Sequence, residues 1–327
     1  MADNNNLHIS RVGRTDEFYT QLSTIEAELD RYCPYFKDQI VLCNCDNPYK
    51  SNFFKYFVLN FRRFGLKKLV ATCFADPQLC LETAFSDHGN PYPYKIEITT
   101  VPARGCEDDP LPDVDALLKE KGNTLTVLNG NGDFRSGECE DILKACDIVV
   151  TNPPFSLMRE YLPTVINSGK KFIILGNVNH ITLMEIKPYI LSEACRLGYH
   201  SGHFWFMVPN SYDEKGTDYK QDESGQKWRR MGNSCWFTNF DIPKHHIPLE
   251  LRATYDEESY LHYDDYDAIE CGTTRELPKD YFGVIGVPIT YLPYHCSDQF
   301  EILDIVTPRI QGKSKYKRLL IRRRDKR

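Results

Sequence analysis

Apolar residues follow two alternating rhythms along this chain. Runs of strand length occur at "QIVLCNCD" (39–46), "KKLVATCF" (67–74), "TLTVLNGNGDF" (124–134), "DIVVTNPPF" (147–155) and "KKFIILGNVN" (170–179). Between them, apolar positions recur at helical spacing. Leu22, Ile25, Leu29 and Tyr32 make one such face after an acidic start. "NPYKSNFFKYFVLNFRRFG" (47–65) is rich in aromatics and stops at Gly65, as helices often do. "DVDALLKEKGN" (113–123), "CEDILKAC" (139–146) and "SLMREYLPTVINSG" (156–169) predict three more helices. Strand then helix, repeated, predicts a parallel α/β sheet. A polar stretch from Asp76 to Asn90 interrupts the series. "YKIEITTV" (94–101) then alternates, as an extra strand would in an excursion from that sheet.

The texture changes after residue 200. "HFWFMVP" (203–209) and "NSCWFTNFD" (233–241) predict two strands, with Trp205 and Trp236 in the core. The polar segment between them, 209–233, has the length of a functional loop and carries Trp228. From Ile242 onward Pro, His, Tyr and Asp are frequent, and "FGVIGVPITYL" (282–292) is the one clear strand. The chain thus divides into a regular part, 1–241, and an irregular module, 242–327.

Composition narrows the classes. A length of 327 residues with 41% hydrophobic content supports a sizeable core. No apolar run is long enough to span a bilayer and the N-terminus lacks a signal-peptide core, so a cytoplasmic protein is expected. None of the 12 cysteines forms a Cys-x-x-Cys pair, and buried reduced thiols are expected rather than a zinc site. The net charge of −6 is uneven: "KSKYKRLLIRRRDKR" (313–327) holds nine Lys/Arg and one Asp, leaving −14 for the rest. A basic tail on an acidic body suggests one local contact with a polyanion, with a solvated tail as the alternative. The nine histidines show no convincing partners.

Chemistry gathers at three corners. Parallel sheets bind ligands at the carboxyl ends of their strands. Asp46-Asn47-Pro48, Asp133-Phe134 and Asn152-Pro153-Pro154-Phe155 are all expected at that edge. In the last, the Asn side-chain oxygen and the Pro153 carbonyl are two acceptors, and proline stiffens the backbone that presents them. Phe155 adds an aromatic face. Two acceptors and a stacking platform match an exocyclic amino group on a flat heterocycle. Such a nitrogen is a poor nucleophile because its lone pair is delocalised. Gripping both hydrogens favours a tetrahedral nitrogen and stabilises the positive charge that develops on attack. Asp46 suits a ribose hydroxyl or an ammonium group, and Asp133 an adenine amino group with Phe134 beside the ring. No phosphate-binding glycine loop is present, so a phosphate-free nucleoside cofactor fits best, namely S-adenosylmethionine.

The ordered set "DEFYTQ" (16–21), "VLCNCDNPYKSNF" (41–53), "LNGNGDFRS" (128–136) and "DIVVTNPPFS" (147–156) resembles the amino-methyltransferases of DNA, most closely the EcoRI modification methylase group. "KKFIILGNVN", "GVPIT" and "DQFEI" extend the resemblance over most of the chain. It implies a Rossmann-like S-adenosylmethionine-dependent sheet with a C-terminal target-recognition region, in the gamma order. It assigns Phe18, Tyr19 and Thr20 to the cofactor's methionine end, and Asp46, Asn47 and Pro48 to the first cofactor loop. Asp133 and Phe134 fall to the cofactor's adenine, and Asn152, Pro153, Pro154 and Phe155 to the catalytic tetrapeptide. The first loop lacks the glycines of many relatives, and the acidic residue usual after the second strand has only Asp76 as a weak match.

The expectation is therefore a methyltransferase acting on N6 of adenine in a specific double-stranded DNA sequence, by base flipping. Loop 209–233 and module 242–327 are expected to meet the DNA. A cognate restriction endonuclease acting on the same site is the partner such an enzyme implies, unless it is a solitary methylase. RNA adenine, protein glutamine, and a binding protein that has lost catalysis are the alternatives.

Overall fold

A computed structural model describes residues 19–45, 47–74, 92–103, 113–209 and 217–324. The chain forms two compact units, Met1–Gly176 with His203–Ser234, and Asn177–Gly202 with Cys235–Arg327. Among the described residues, no helix is long and apolar enough to cross a membrane.

The first unit begins with β1 (Tyr19–Thr20), α1 (Leu22–Leu29) and a short α2 (Cys33–Phe36). Ile25, Leu29 and Tyr32 are buried, as their spacing predicts. Next come β2 (Ile40–Cys43), α3 (Asn52–Phe64) and β3 (Lys68–Cys73). Ser51 caps α3 by accepting from Phe54 N at 3.2 Å, and Gly65 ends it in the left-handed conformation. The buried rings of α3 pack with Phe36, which lies 5.3 Å from Phe57 and 5.1 Å from Phe64.

β4 (Tyr94–Ile98), α4 (Val114–Leu117), β5 (Thr124–Val127), α5 (Gly137–Ala145), β6 (Ile148–Thr151), α6 (Met158–Asn167) and β7 (Lys171–Asn177) follow. The strands run β7-β6-β2-β3-β4-β5. β2 is parallel to β3 and to β6, and β6 to β7. Their buried apolar runs are those of strands covered on both faces. The sheet is mixed, however. β4 is not an excursion but an interior strand, antiparallel to both β3 and β5. Tyr94, Ile96 and Ile98 are buried on one side. On the other, Glu97 bonds Lys68 at 2.9 Å and lies 3.0 Å from Lys95. β5 is thereby the outer, exposed strand.

Three strands build a ribbon: β8 (Arg196–Val208), β9 (Tyr219–Gln221) and β10 (Lys227–Thr238). Tyr19 and Thr20 of β1 pair antiparallel with Met207 and Phe206. The polar stretch expected to be one loop is a hairpin over its described part, because Asp222 accepts from Ser224 N and Gln226 N and folds the turn. Trp205 is not core. It is half-buried, with Lys220 Nζ 4.5 Å and the Arg230 guanidinium 5.9 Å from its ring. Trp236 is fully buried as expected.

The second unit holds α7 (Lys187–Leu191) and a sheet of β11 (Ala268–Glu270), β12 (Val284–Pro288), β13 (Phe300–Val306) and β16 (Arg318–Arg323), in the order β11-β12-β16-β13. β14 (Arg309–Ile310) and β15 (Lys313–Ser314) form a separate hairpin. The region is more regular than its composition predicts. Much of the basic segment is not a solvated tail: Leu319, Leu320 and Ile321 are buried in an interior strand. Arg318 Nη2 meets Glu270 Oε1 at 2.7 Å, and Arg322 meets Glu301 at 2.6 Å. Tyr263 donates to Glu270, and its ring lies so close to Gly286 that any side chain there would overlap it. The long gaps between strands, and polar partners that only the fold supplies, hid this sheet from a periodicity reading.

Cys139, Cys146, Cys195, Cys271 and Cys296 are buried thiols. Cys43 is buried in β2, and Cys45 beyond it has φ +64°.

Candidate active site

β6 is buried at every position and stops at Thr151, because Pro153 and Pro154 offer no N–H to a ladder. Pro153 is buried, Asn152 and Phe155 are part-exposed, and residues 155–157 make a short 3₁₀ turn into α6. Asn152 Nδ2 donates to Thr20 Oγ1 at 3.4 Å, and Asn152 Oδ1 is shielded from solvent. Anchoring the nitrogen end leaves the oxygen as the acceptor end of the amide. The Phe155 ring meets Phe206 edge-on, centroids 6.5 Å apart.

Thr20 joins two corners. Its hydroxyl receives Asn152, and its carbonyl accepts from Asn52 Nδ2 at 2.7 Å, at the first turn of α3. Asn47 organises the turn before that helix. Its Oδ1 accepts from Tyr49 N (3.0 Å) and Tyr94 Oη (3.2 Å), and its carbonyl accepts from Lys50 N and Ser51 N. Pro48 is buried beside it. Burial, then the Asp115 bond, pushes the Tyr49 hydroxyl up to about 12. Phe18 and Asp46 lie outside the described residues.

The corner after β5 is set by Gly132, whose φ is +77°. A Cβ there would sit 2.6 Å from the Cys73 carbonyl oxygen, so this corner closes on the end of β3 only with glycine. Asp133 Oδ1 accepts from Arg135 N and Nε, both at 2.9 Å, and Oδ2 accepts from Nη2 at 2.6 Å. The Arg135 hydrogen bonds hold the Asp133 carboxyl below its ordinary range. Arg135 also reaches Glu160 at 2.8 Å and lies 5.3 Å from the Phe134 ring. Phe134 is buried and meets Tyr161 edge-on at 5.1 Å.

Sequence reasoning missed Asn44, Asn52, Arg135 and Tyr161. Asn44 is buried just past β2, where its carbonyl accepts from Thr151 Oγ1 and its Oδ1 accepts from Tyr161 Oη. The available signal was a polar residue between an apolar run and a flagged corner. Tyr161 carried none, since its spacing on α6 is that of any core aromatic.

The fold is a mixed α/β sheet whose buried strand β6 ends in an Asn-Pro-Pro-Phe corner. The chain belongs to the EcoRI family of adenine-specific methyltransferases, whose model matches residues 6–326. It is 40% identical to the Type II methyltransferase M.EcoRI of Escherichia coli, covering 98% of this chain and 97% of that one. It is 33% identical to the Type II methyltransferase M.MpnI of Mycoplasma pneumoniae, covering 90% and 84%. With the Type II methyltransferase M.MgeORF184P of Mycoplasma genitalium the identity is 30%, covering 91% and 86%. No solved structure gives a significant match.

Proposed function

We propose that this chain methylates the N6 amino group of adenine in a specific double-stranded DNA sequence, using S-adenosylmethionine. The observation that carries this reading is the Asn152–Phe155 corner at the end of a fully buried strand, with the Asn152 amide anchored through Thr20. The corner donor set suits the cofactor. Thr20, Asn44 and Asn47 are neutral polar groups, and Asp133, held ionised by Arg135, suits a ligand rich in N–H and O–H donors. When bound, this cofactor supplies an electrophilic methyl group on a sulfonium centre.

The chain's own residues do the rest. Asn152 Oδ1 and the Pro153 carbonyl accept the two amino hydrogens and direct the nitrogen lone pair out of the ring plane. They are preorganised, so little reorganisation is needed as positive charge builds on that nitrogen. Phe155, held edge-on by Phe206, stacks on the adenine. The base must be flipped out of the duplex to reach this corner. The sheet is read as a Rossmann-like methyltransferase core. Residues 209–233 and 242–327 are assigned to DNA contact and target recognition, a cognate restriction endonuclease is the implied partner, and the site of action is the cytoplasm, with the chromosome.

The test uses tritiated S-adenosylmethionine with duplex DNA, RNA and protein, and compares the natural chain with Asn152→Ala. Label is expected in DNA adenine and is expected to fall by at least about 100-fold in the variant. Label confined to RNA or protein would overturn the DNA assignment.

A further inference from the structure

Four residues make a buried polar link among the corners. Asn44 follows β2, Thr151 ends β6, Tyr161 lies on α6, and Phe134 belongs to the corner after β5. All four are buried. The Asn44 carbonyl receives the Thr151 hydroxyl, the Asn44 side chain receives the Tyr161 hydroxyl, and the Tyr161 ring meets Phe134 edge-on at 5.1 Å. One phenol and one amide thus tie Phe134 to Thr151, the residue before Asn152, and to Asn44, where the chain leaves β2. Immediately after Asn44 the backbone turns through the left-handed region at Cys45. Immediately after Thr151 stands Asn152.

We propose that Asn44 and Tyr161 are positioning residues that hold the catalytic corner in register with the two cofactor corners. The inference rests on the functional reading above. Buried hydrogen bonds add little net stability, because water offers the unfolded chain the same bonds. They are directional, though, and fix atoms within narrow limits. Methyl transfer between two bound molecules is sensitive to such limits, since small misplacements of reacting atoms cost far more rate than binding. A side-chain network that joins the chain just before two corners to Phe134 of the third serves that requirement better than apolar packing of equal volume.

The experiment compares Tyr161→Phe, Asn44→Ala and their combination with a control, Tyr56→Phe. Tyr56 is also fully buried and donates to Asp30 at 2.6 Å, but it sits on α3 and not among these four residues. With duplex DNA from a host lacking adenine methylation, Tyr161→Phe should lower kcat by about 10- to 100-fold. Its S-adenosylmethionine Kd, measured by calorimetry, should change by no more than about threefold, because uniform binding is not what is lost. Tyr56→Phe should keep kcat within about twofold of the natural value. Adding Tyr161→Phe to Asn44→Ala should cost little more than Asn44→Ala alone. A natural kcat in Tyr161→Phe, losses that add fully, or equal losses in both tyrosine variants would overturn the proposal. Were the natural protein to transfer nothing to DNA, the functional reading would fail, and amide exchange would still decide the link. Tyr161→Phe must accelerate exchange in both 40–47 and 148–158 while Tyr56→Phe does not; unchanged exchange there overturns it.

Discussion

Thr20 Oγ1 accepts a hydrogen bond from Asn152 Nδ2 at 3.4 Å, joining positions 132 residues apart. The same residue pairs with Phe206 through β1, and Phe206 in turn supports the Phe155 ring. Thr20→Val keeps the shape and the strand preference and removes only the acceptor. Methyl transfer should fall about tenfold, the equivalent of one ordinary hydrogen bond. Thr20→Ser should retain most activity. Steady-state incorporation into DNA measures both, and equal rates in natural and valine forms would show that Thr20 does not hold the amide.

Gly132→Ala should destabilise the first unit by about 1–3 kcal/mol in urea titration and weaken cofactor binding. Its positive φ and the nearby Cys73 carbonyl leave no room for a methyl group. Gly137→Ala, with nothing within 4 Å of the added atom, is the control and should stay within about 0.5 kcal/mol.

Glu193 predicts an acid limit for the second unit. His295 beside it, Nε2 4.0 Å from Oε1, then Ser297 and Arg196, outweigh burial and hold its carboxyl at about 2. A glutamate free in the unfolded chain titrates near 4.5. The folded value is depressed, so the stabilisation is present above pH 4.5 and is lost as pH falls through 2. The stability gap between the natural protein and Glu193→Gln should be up to about 3 kcal/mol near neutrality and should close at acid pH. Thermal melts from pH 6 down to about pH 2 report it.

Arg318→Ala should cost about 3–5 kcal/mol, because it strips the partner from Glu270 while both side chains are only 11% exposed. Calorimetry should show the second unit melting early. A segment that served only to touch DNA would instead lose salt-dependent affinity and keep its melting temperature.

The strands β2, β3, β6 and β7 were legible in the sequence because each is a short apolar run closed by turn chemistry. The Asn152–Phe155 corner was legible because two prolines after such a run end the ladder and leave only carbonyl acceptors there. β4 was legible as a strand but not in its place. Alternation of Tyr94, Ile96 and Ile98 announces two faces, whereas its antiparallel insertion depends on pairing across distant residues. The engagement of Asp133 by Arg135 was missed because a spacing of two does not itself say whether the side chains converge; the turn after Gly132 decides it. The basic segment was legible in its charge but not in its structure. The Leu319–Ile321 core, and the acids on β11 and β13 that pair with Arg318 and Arg322, become visible only once the strands are paired.

β16 separates β12 from β13, and β13 has no other strand partner among the described residues. On the ribosome the two earlier strands are therefore finished before the one that must enter between them. Until β16 docks, β12 and β13 each keep an open hydrogen-bonding edge. Late docking of the last strand would therefore expose two strand edges at once, the arrangement most prone to edge-to-edge association.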